Sequence, residues 1–416
     1  MIAKNLFKTL GPGILFASTA IGVSHLVQST RAGAEYGFAL VGIILLANIM
    51  KYPFFEFGSR YANVTGESLI DGYRKMGKWM LATYIFITLG SMFFVIAAVG
   101  IVTAGFLDNL FGIGNLPLVT ACLFVASVMI LIFGKYGLLD SLIKVVAAVL
   151  FISTIAAFFL TLFHGPATTE SLIPTMEWDA KDLGFLIALM GWMPTAVDLS
   201  VWNSLWTLER IKQTGFKPTL KETLFEFRLG YITSAILSIC FVTLGAFLMF
   251  GTGEAFPDSS AQFAHHVVSL YTRTMGDWSY FIIGSAAFAI MLGTCIAVFD
   301  GYSRALGRCV SLIKPSTNVS EGTANNSVIL IFAALGSYAI IHFLLFANAN
   351  TSGFKMLIDL ATTISFLIAP LIAIVNYRLV TSSSFPEADR PGTALKVLSI
   401  CGILFLSAFS IFFLVC

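Results

Sequence analysis

Gly11-Pro12-Gly13-Ile14-Leu15-Phe16-Ala17-Ser18-Thr19-Ala20-Ile21-Gly22-Val23-Ser24-His25-Leu26-Val27-Gln28-Ser29-Thr30 is the first apolar run of the chain. Its length is that of a bilayer-crossing helix, about 20 residues. Its middle, Gly22-Val23-Ser24-His25, is poor helix. Gly pays the largest backbone entropy, Val is β-branched, and Ser competes for backbone hydrogen bonds. Irregular backbone is tolerated at membrane depth only where it is buried in protein or lines a watery cavity. The ionisable His25 at that depth points to a functional site. The alternative is an unbroken helix with one tolerated Gly and His25 facing a neighbouring helix.

Working outward, the composition is that of a membrane protein. The chain is 57% hydrophobic and 11% charged, with mean hydropathy +0.89, whereas soluble domains are about 25% charged. A net charge of +2 offers no acidic or basic tail, so no nucleic-acid partner is expected. Cys122, Cys240, Cys295, Cys309, Cys401 and Cys416 form no CxxC motif and mostly lie in apolar runs. They read as small apolar residues rather than disulfides or metal ligands. Met1–Thr9 is short and polar, which argues against a cleavable signal peptide.

Hydropathy gives eleven candidate spans, at roughly 11–30, 38–62, 79–107, 116–134, 138–163, 183–206, 228–251, 278–310, 327–347, 353–378 and 393–416. In the polar segment 252–276, Ala261–Met275 reads as a short surface helix. Lys and Arg, pooled over alternate loops, divide unequally. Eighteen fall on one side, from Lys4 and Lys8 through Lys135 to Arg390 and Lys396, and four on the other: Arg31, Lys181, Arg273 and Lys355. Lys51 and Lys144 lie inside spans. The positive-inside rule then puts the N-terminus in the cytoplasm and, after an odd number of spans, the C-terminus outside. The expectation is a multi-pass protein of the cell (inner) membrane, with the lipid bilayer as partner.

The sixth span, Leu186-Ile187-Ala188-Leu189-Met190-Gly191-Trp192-Met193-Pro194-Thr195-Ala196-Val197-Asp198-Leu199-Ser200, is interrupted too. Pro194 removes a backbone donor and clashes one turn back. Spans one and six each open a set of five and enter from opposite sides. Interrupted segments at matching places in two inverted halves mark the central site of a secondary transporter. The expected organisation is a single transporter domain: repeat one over about 11–163, repeat two over about 183–378, and an extra helix over about 393–416.

Several motifs carry a family resemblance. Gly11-Pro12-Gly13, Ala32-Gly33-Ala34-Glu35-Tyr36-Gly37, Leu46-Ala47-Asn48-Ile49-Met50, and Arg60 with Val64-Thr65-Gly66-Glu67 resemble the Nramp family of divalent-metal transporters. Met193-Pro194 resembles the family's sixth-helix motif, and Ser365-Phe366-Leu367-Ile368-Ala369-Pro370-Leu371 its tenth helix. The resemblance covers essentially the whole chain. It implies an all-α LeuT-type fold, two inverted five-helix repeats plus an eleventh helix, working by alternating access. It also implies a metal site that is rewritten here. Family members carry Asp-Pro-Gly-Asn in the first helix, where the Asp and Asn bind metal; the same register here reads Gly22-Val23-Ser24-His25. The sixth-helix Met-Pro-His becomes Met193-Pro194-Thr195. The third helix of the family carries proton-conducting acids, and Leu81–Leu107 has none.

Two chemistries compete for this site. Transition metals want carboxylate, thioether or imidazole ligands. The metal reading therefore rests on His25, Met193 and Asp198, with magnesium ahead of manganese. The anion reading uses the N–H groups and positive dipole ends of half-helices beginning near Ser24 and Thr195, with hydroxyls from both and a donor from His25. The candidate substrate-binding set is Gly22, Val23, Ser24, His25, Met193 and Thr195. The first expectation is a small inorganic anion such as bicarbonate; divalent metal is second and a transport-dead membrane sensor third. No resident cofactor is expected. Sodium is the candidate coupling ion, at oxygens from Asp300, Thr294 and Ser303 with carbonyls near Ala17–Ile21, or at Asp198. The competing reading pairs Asp300 with Arg304 at i,i+4.

Other intramembrane charges have simpler readings. Glu56 and Arg60 form an i,i+4 pair, and Lys51 and Glu56 form either a relay or two separate contacts. Lys144 snorkels. Asp359 faces the pathway or caps a helix, and Arg31 is a solvated interfacial charge or an anion attractor. Trp192, Trp202 and Trp206 read as packing and interface anchors. No nucleophile–base constellation suggests an enzyme.

Overall fold

The computed structural model describes residues 11–415 apart from 134–135, 170, 176–178, 254–256, 258, 315–318 and 347–352. Lys4, Lys8, Lys135 and Cys416 lie outside the described residues, as do the side chains of Lys144 and Lys181. The regular elements of the described residues are all helices. In order, the α-helices are α1 (Pro12–Ala20), α2 (Thr30–Tyr36), α3 (Val41–Thr65), α4 (Leu69–Met76), α5 (Lys78–Phe111), α6 (Leu116–Phe133), α7 (Tyr136–His164), α8 (Ala180–Gly191) and α9 (Leu199–Thr214). They continue as α10 (Leu220–Leu248), α11 (Ser260–Met275), α12 (Tyr280–Ile313), α13 (Val319–Ile341), α14 (Gly353–Thr381) and α15 (Thr393–Val415). Single π-helical stretches follow the α1 break (Ser24–Ser29) and end α13 (His342–Phe346).

Among the described residues, eight helices are long and apolar enough to cross a membrane: α3, α5, α6, α10, α12, α13, α14 and α15. α7 adds a ninth long helix of 29 residues. The first and sixth predicted spans are each two half-helices, α1 with α2 and α8 with α9. Both run past the predicted boundaries, to Tyr36 and to Thr214. The predicted surface helix is α11, whose Ser259 hydroxyl accepts from the Gln262 N–H at 3.3 Å and so caps it. Phe86, Phe163, Leu335 and Leu414 are exposed, which in a spanning protein is lipid-facing surface.

The packing has a repeated pattern. α2 lies along α10, and its counterpart α9 lies along α3. α5 packs on its own counterpart, α12. α6 contacts α5 as α13 contacts α12. Each broken helix thus rests on the second helix of the opposite repeat, and the long third helices meet at the centre.

Close backbone approaches make this possible. A Cβ on Gly33 would sit 2.0 Å from the Val242 carbonyl oxygen, and one on Gly245 2.2 Å from that of Thr30. Gly13 and Gly230 form a similar pair at the other end, where a Cβ on Gly230 would lie 2.1 Å from the Gly13 carbonyl oxygen. Both halves of the first broken helix therefore lie directly on the α10 backbone, as small residues permit in membrane helices.

Candidate functional site

The first break is short. The Ile21 N–H closes α1 on the Ala17 carbonyl at 2.8 Å, and the ladder resumes when His25 and Leu26 both donate to Gly22, at 3.2 and 3.0 Å. The wide π turn over Ser24–Ser29 absorbs the irregularity, a device common at functional sites. A Cβ at Gly22 would lie 2.7 Å from Thr294 Cγ2, so Gly22 brings the break against α12. Ser24 Oγ lies within hydrogen-bonding range of the Ala20 carbonyl and 2.7 Å from His25 Nδ1.

His25 is fully buried and directed away from the break. Its Nε2 is 2.8 Å from the Ser234 carbonyl of α10 and its Nδ1 meets Ser24 Oγ. A neutral ring donates from Nε2 to the Ser234 carbonyl, and the single Ser24 hydroxyl proton serves either the Ala20 carbonyl or His25 Nδ1. His25 thus ties the first broken helix to α10, and the hydrogen bond to a neighbouring helix, the simpler alternative, is the arrangement present.

The second break is longer. α8 ends at Gly191, and Trp192–Asp198 are non-helical, with a cis bond between Met193 and Pro194. α9 begins with Leu199, Ser200 and Val201 donating to Ala196, Val197 and Asp198, at 3.1, 3.0 and 3.0 Å. The N–H groups just before that ladder form a helix N-terminus. At the opposite end of the break, the terminal carbonyls of α8 are occupied by a lysine. Lys51 of α3 is fully buried, and its Nζ donates to Met190 at 2.5 Å, Gly191 at 2.8 Å and Thr195 at 3.2 Å.

Between the breaks is a small cavity of about 20 Å³, measured to water centres. That is room for one water. Its polar lining is Thr19, Ser24, Trp192, Thr195 and Thr294; Val23, Val95, Val99 and Val298 are among its apolar walls. The structure therefore brings together Val23, Ser24, Thr195 and Thr294 of the predicted residues. Gly22 packs behind Thr294. Met193 is fully buried outside the lining, its Sδ 3.8 Å from Ser29 Oγ. Asp198 is buried at the N-cap position of α9, also outside the lining, without capping it through its side chain.

Asp300 lies farther along α12. Both its oxygens take Arg304 Nε at 2.8 Å, and Oδ2 also takes Trp206 Nε1 at 3.3 Å. Ser303 Oγ donates to the Asp300 carbonyl at 3.0 Å. The i,i+4 pairing is thus present, and Thr294, which donates to the Ser18 carbonyl at 3.1 Å, is the member of the predicted sodium set that reaches the first broken helix. Among the described residues, no group of three or more His, Cys, Asp or Glu is placed to hold a metal.

One alternative is decided and two readings change. Lys51 and Glu56 have separate partners; Glu56 takes Arg60 at 2.7 Å, Arg228 at 3.1 Å, and the Tyr52 hydroxyl. Arg31 is not a solvated charge. It is buried, bonds both Asp359 oxygens at 3.0 and 2.9 Å, pairs with Glu35, and covers the Phe185 ring at 4.3 Å. Trp192 is more than an anchor, since it lines the cavity while its Nε1 donates to Ser365 Oγ at 2.9 Å. Sequence reasoning missed Thr19 as a lining residue, although its spacing from Val23 and its place one turn before the break were visible.

Comparison with known proteins agrees with this architecture. The family model described as "Natural resistance-associated macrophage protein-like" matches residues 13–416. An uncharacterized protein of Pasteurella multocida is 35% identical over 414 residues, covering 98% of this chain and 92% of its own length. The divalent metal cation transporter MntH of Bacillus subtilis is 22% identical, over 91% of this chain and 93% of its own. In fold, the chain is similar to the Eremococcus coleocola manganese transporter, with TM-score 0.77 at 12% identity, over 99% of this chain and 87% of that one. It is also similar to MhsT in complex with L-phenylalanine, with TM-score 0.60 at 13% identity, over 97% of each chain. Two half-helix pairs crossing at a central cavity, a LeuT-type arrangement of inverted repeats, and a family match over nearly its full length establish that this chain belongs to the Nramp family of membrane transporters.

Proposed function

We propose that this Nramp-family protein is a secondary active transporter of a small inorganic anion, with bicarbonate as the first substrate to test. The observation that carries the reading is the lining of the central cavity. Thr19, Ser24, Thr195 and Thr294 line it beside Leu199 at the start of α9, with no carboxylate, imidazole or thioether in the lining. The Thr19, Ser24 and Thr294 hydroxyls donate to the Leu15, Ala20 and Ser18 carbonyls and would turn from them to bind an anion. Hydroxyls and helix N-termini suit an oxyanion; a divalent cation needs anionic ligands to offset its dehydration. In this proposal Ser24 and Thr195 hold the substrate, while Thr294 and the Ser18 carbonyl are the oxygens offered to a coupling sodium. The charge bias of the loops supports a cytoplasmic N-terminus and an external C-terminus.

Divalent metal transport is the second reading, favoured by the names of relatives such as the Bacillus subtilis MntH protein. It would require His25, Met193 or Asp198 to turn from their present partners. The deciding experiment is uptake into proteoliposomes of labelled bicarbonate, manganese and magnesium in parallel, each with and without a sodium gradient. Bicarbonate uptake alone is the expected outcome. Manganese or magnesium uptake without bicarbonate uptake overturns the anion proposal.

A further inference from the structure

The Lys51 ammonium is placed where a free cation would be expected. An α-helix ends with unpaired carbonyls and the negative end of its dipole. In transporters built on broken helices, such half-helix C-termini and unwound carbonyls commonly coordinate the coupling cation. Here the carbonyls of Met190, Gly191 and Thr195 converge on one point, and that point is Lys51 Nζ, at 2.5, 2.8 and 3.2 Å. Three acceptors match the three donors of an ammonium; a neutral amine has only two. The side chain crosses from α3, in the first repeat, into the break of the second, and it is 0% exposed. Among the described residues it makes no ion pair within 4 Å. Asp198, at the far end of the same break, attracts it through space.

We propose that Lys51 is a tethered cation: its ammonium permanently fills an oxygen cage in the second broken helix that would otherwise bind a free monovalent cation. The α8 carbonyls are thereby satisfied without an exchangeable ion. Thr195 links this cage to the transport cavity, because its carbonyl bonds Lys51 while the residue lines the cavity. A fixed positive charge directly behind the cavity wall favours anions over cations as substrate. That last step rests on the anion-transport proposal; the filled cage does not.

The test uses the purified full chain in lipid nanodiscs. Thermal unfolding is followed in N-methylglucamine, sodium or methylammonium chloride at equal ionic strength. The wild-type midpoint should be the same in all three salts. Lys51→Ala should unfold several degrees lower in N-methylglucamine and be restored, with saturation, by methylammonium or sodium. A folded Lys51→Ala protein indifferent to all three salts overturns the proposal. If Lys51→Ala does not fold, Lys51→Gln, which keeps most of the side-chain volume but is one atom shorter, has two donors instead of three and carries no charge, takes over the test. Its midpoint should fall by several degrees, and a wild-type midpoint overturns the proposal. Both measurements are independent of substrate, so failure of bicarbonate uptake would not be mistaken for failure of the cage. Where bicarbonate is transported, Lys51→Gln should lower its uptake by about an order of magnitude, and unchanged uptake would remove the link to selectivity.

Discussion

At the scale of single residues, His25 shows why a polar group in a membrane helix has to be read with its partners. It was legible as unusual, being a titratable side chain beside a Gly in an apolar run. Its partner is the carbonyl of Ser234, some two hundred residues away, and no local pattern encodes that contact. Lys51 went unexplained for the same reason. Its acceptors are backbone carbonyls, which every residue possesses and no sequence advertises. Ser24 and Thr195 were legible from their places beside the breaks, whereas the turning of the Ser24 and Thr294 hydroxyls to the Ala20 and Ser18 carbonyls was not. With His25 acting as a strut, His25→Ala should cost about 1–3 kcal/mol through the partners it leaves unsatisfied. Substrate KM should stay within about twofold, well under the ~1 kcal/mol that a lost ligand would cost. Denaturation midpoints and uptake kinetics on the same preparation check this. A KM increase without loss of stability would return His25 to the transport site.

At the scale of elements, the breaks were readable in kind but not in extent. Gly22 and Pro194 announced that neither helix runs through. The sequence did not reveal that the first break would shrink to a π turn, because that outcome depends on Gly22 reaching Thr294 on α12. Nor did it reveal that α9 would run eight residues past the predicted end of span six, to Thr214. The contact of the first broken helix with α10 is the more consequential result. Gly245→Leu places a side chain where the Thr30 carbonyl already lies, so α2 must separate from α10 or the chain must fail to fold. Expression of folded protein, read by size-exclusion chromatography, should drop sharply, and more than for Gly42→Leu, whose Cβ meets nothing within 4 Å. Equal behaviour of the two variants would mean that the helices are not held backbone to backbone.

At the scale of the whole molecule, each broken helix is tied to the neighbouring repeat helices by side-chain clamps. At one end, Arg31 and Gln28 hold Asp359 of α14, at 2.9 and 3.3 Å. At the other, Trp206 of α9 donates to Asp300 of α12 at 3.3 Å, and Glu209 pairs with Arg304 at 3.6 Å. Alternating access predicts that weakening one clamp exposes the cavity from that side only. A cysteine at Ser24→Cys, in a background without native cysteines, reports this through membrane-impermeant thiol reagents. Asp359→Asn should speed labelling from one face of oriented vesicles, and Trp206→Phe with Glu209→Gln from the opposite face. Labelling from the same face in both variants would contradict the two-gate arrangement. This pairing of clamps was invisible in the sequence, where Arg31 looked like an interfacial charge and Asp359 had no obvious mate.

The glycine seam between the first broken helix and α10 has a mechanical consequence. Backbones in direct contact have no rotamers to yield between them, so displacement passes across the seam undamped. The seam predicts that α1, α2 and α10 move together as one stiff body, rather than α1 swinging out by itself. The outer face of that body carries Phe225, Leu229, Ile232 and Ile236, all about half exposed and spaced to form a single stripe along α10. Any rocking of the body drags that stripe through the surrounding acyl chains. If that body rocks during transport, the cycle should slow in thicker or more viscous bilayers, which uptake rates in proteoliposomes of graded acyl-chain length would read.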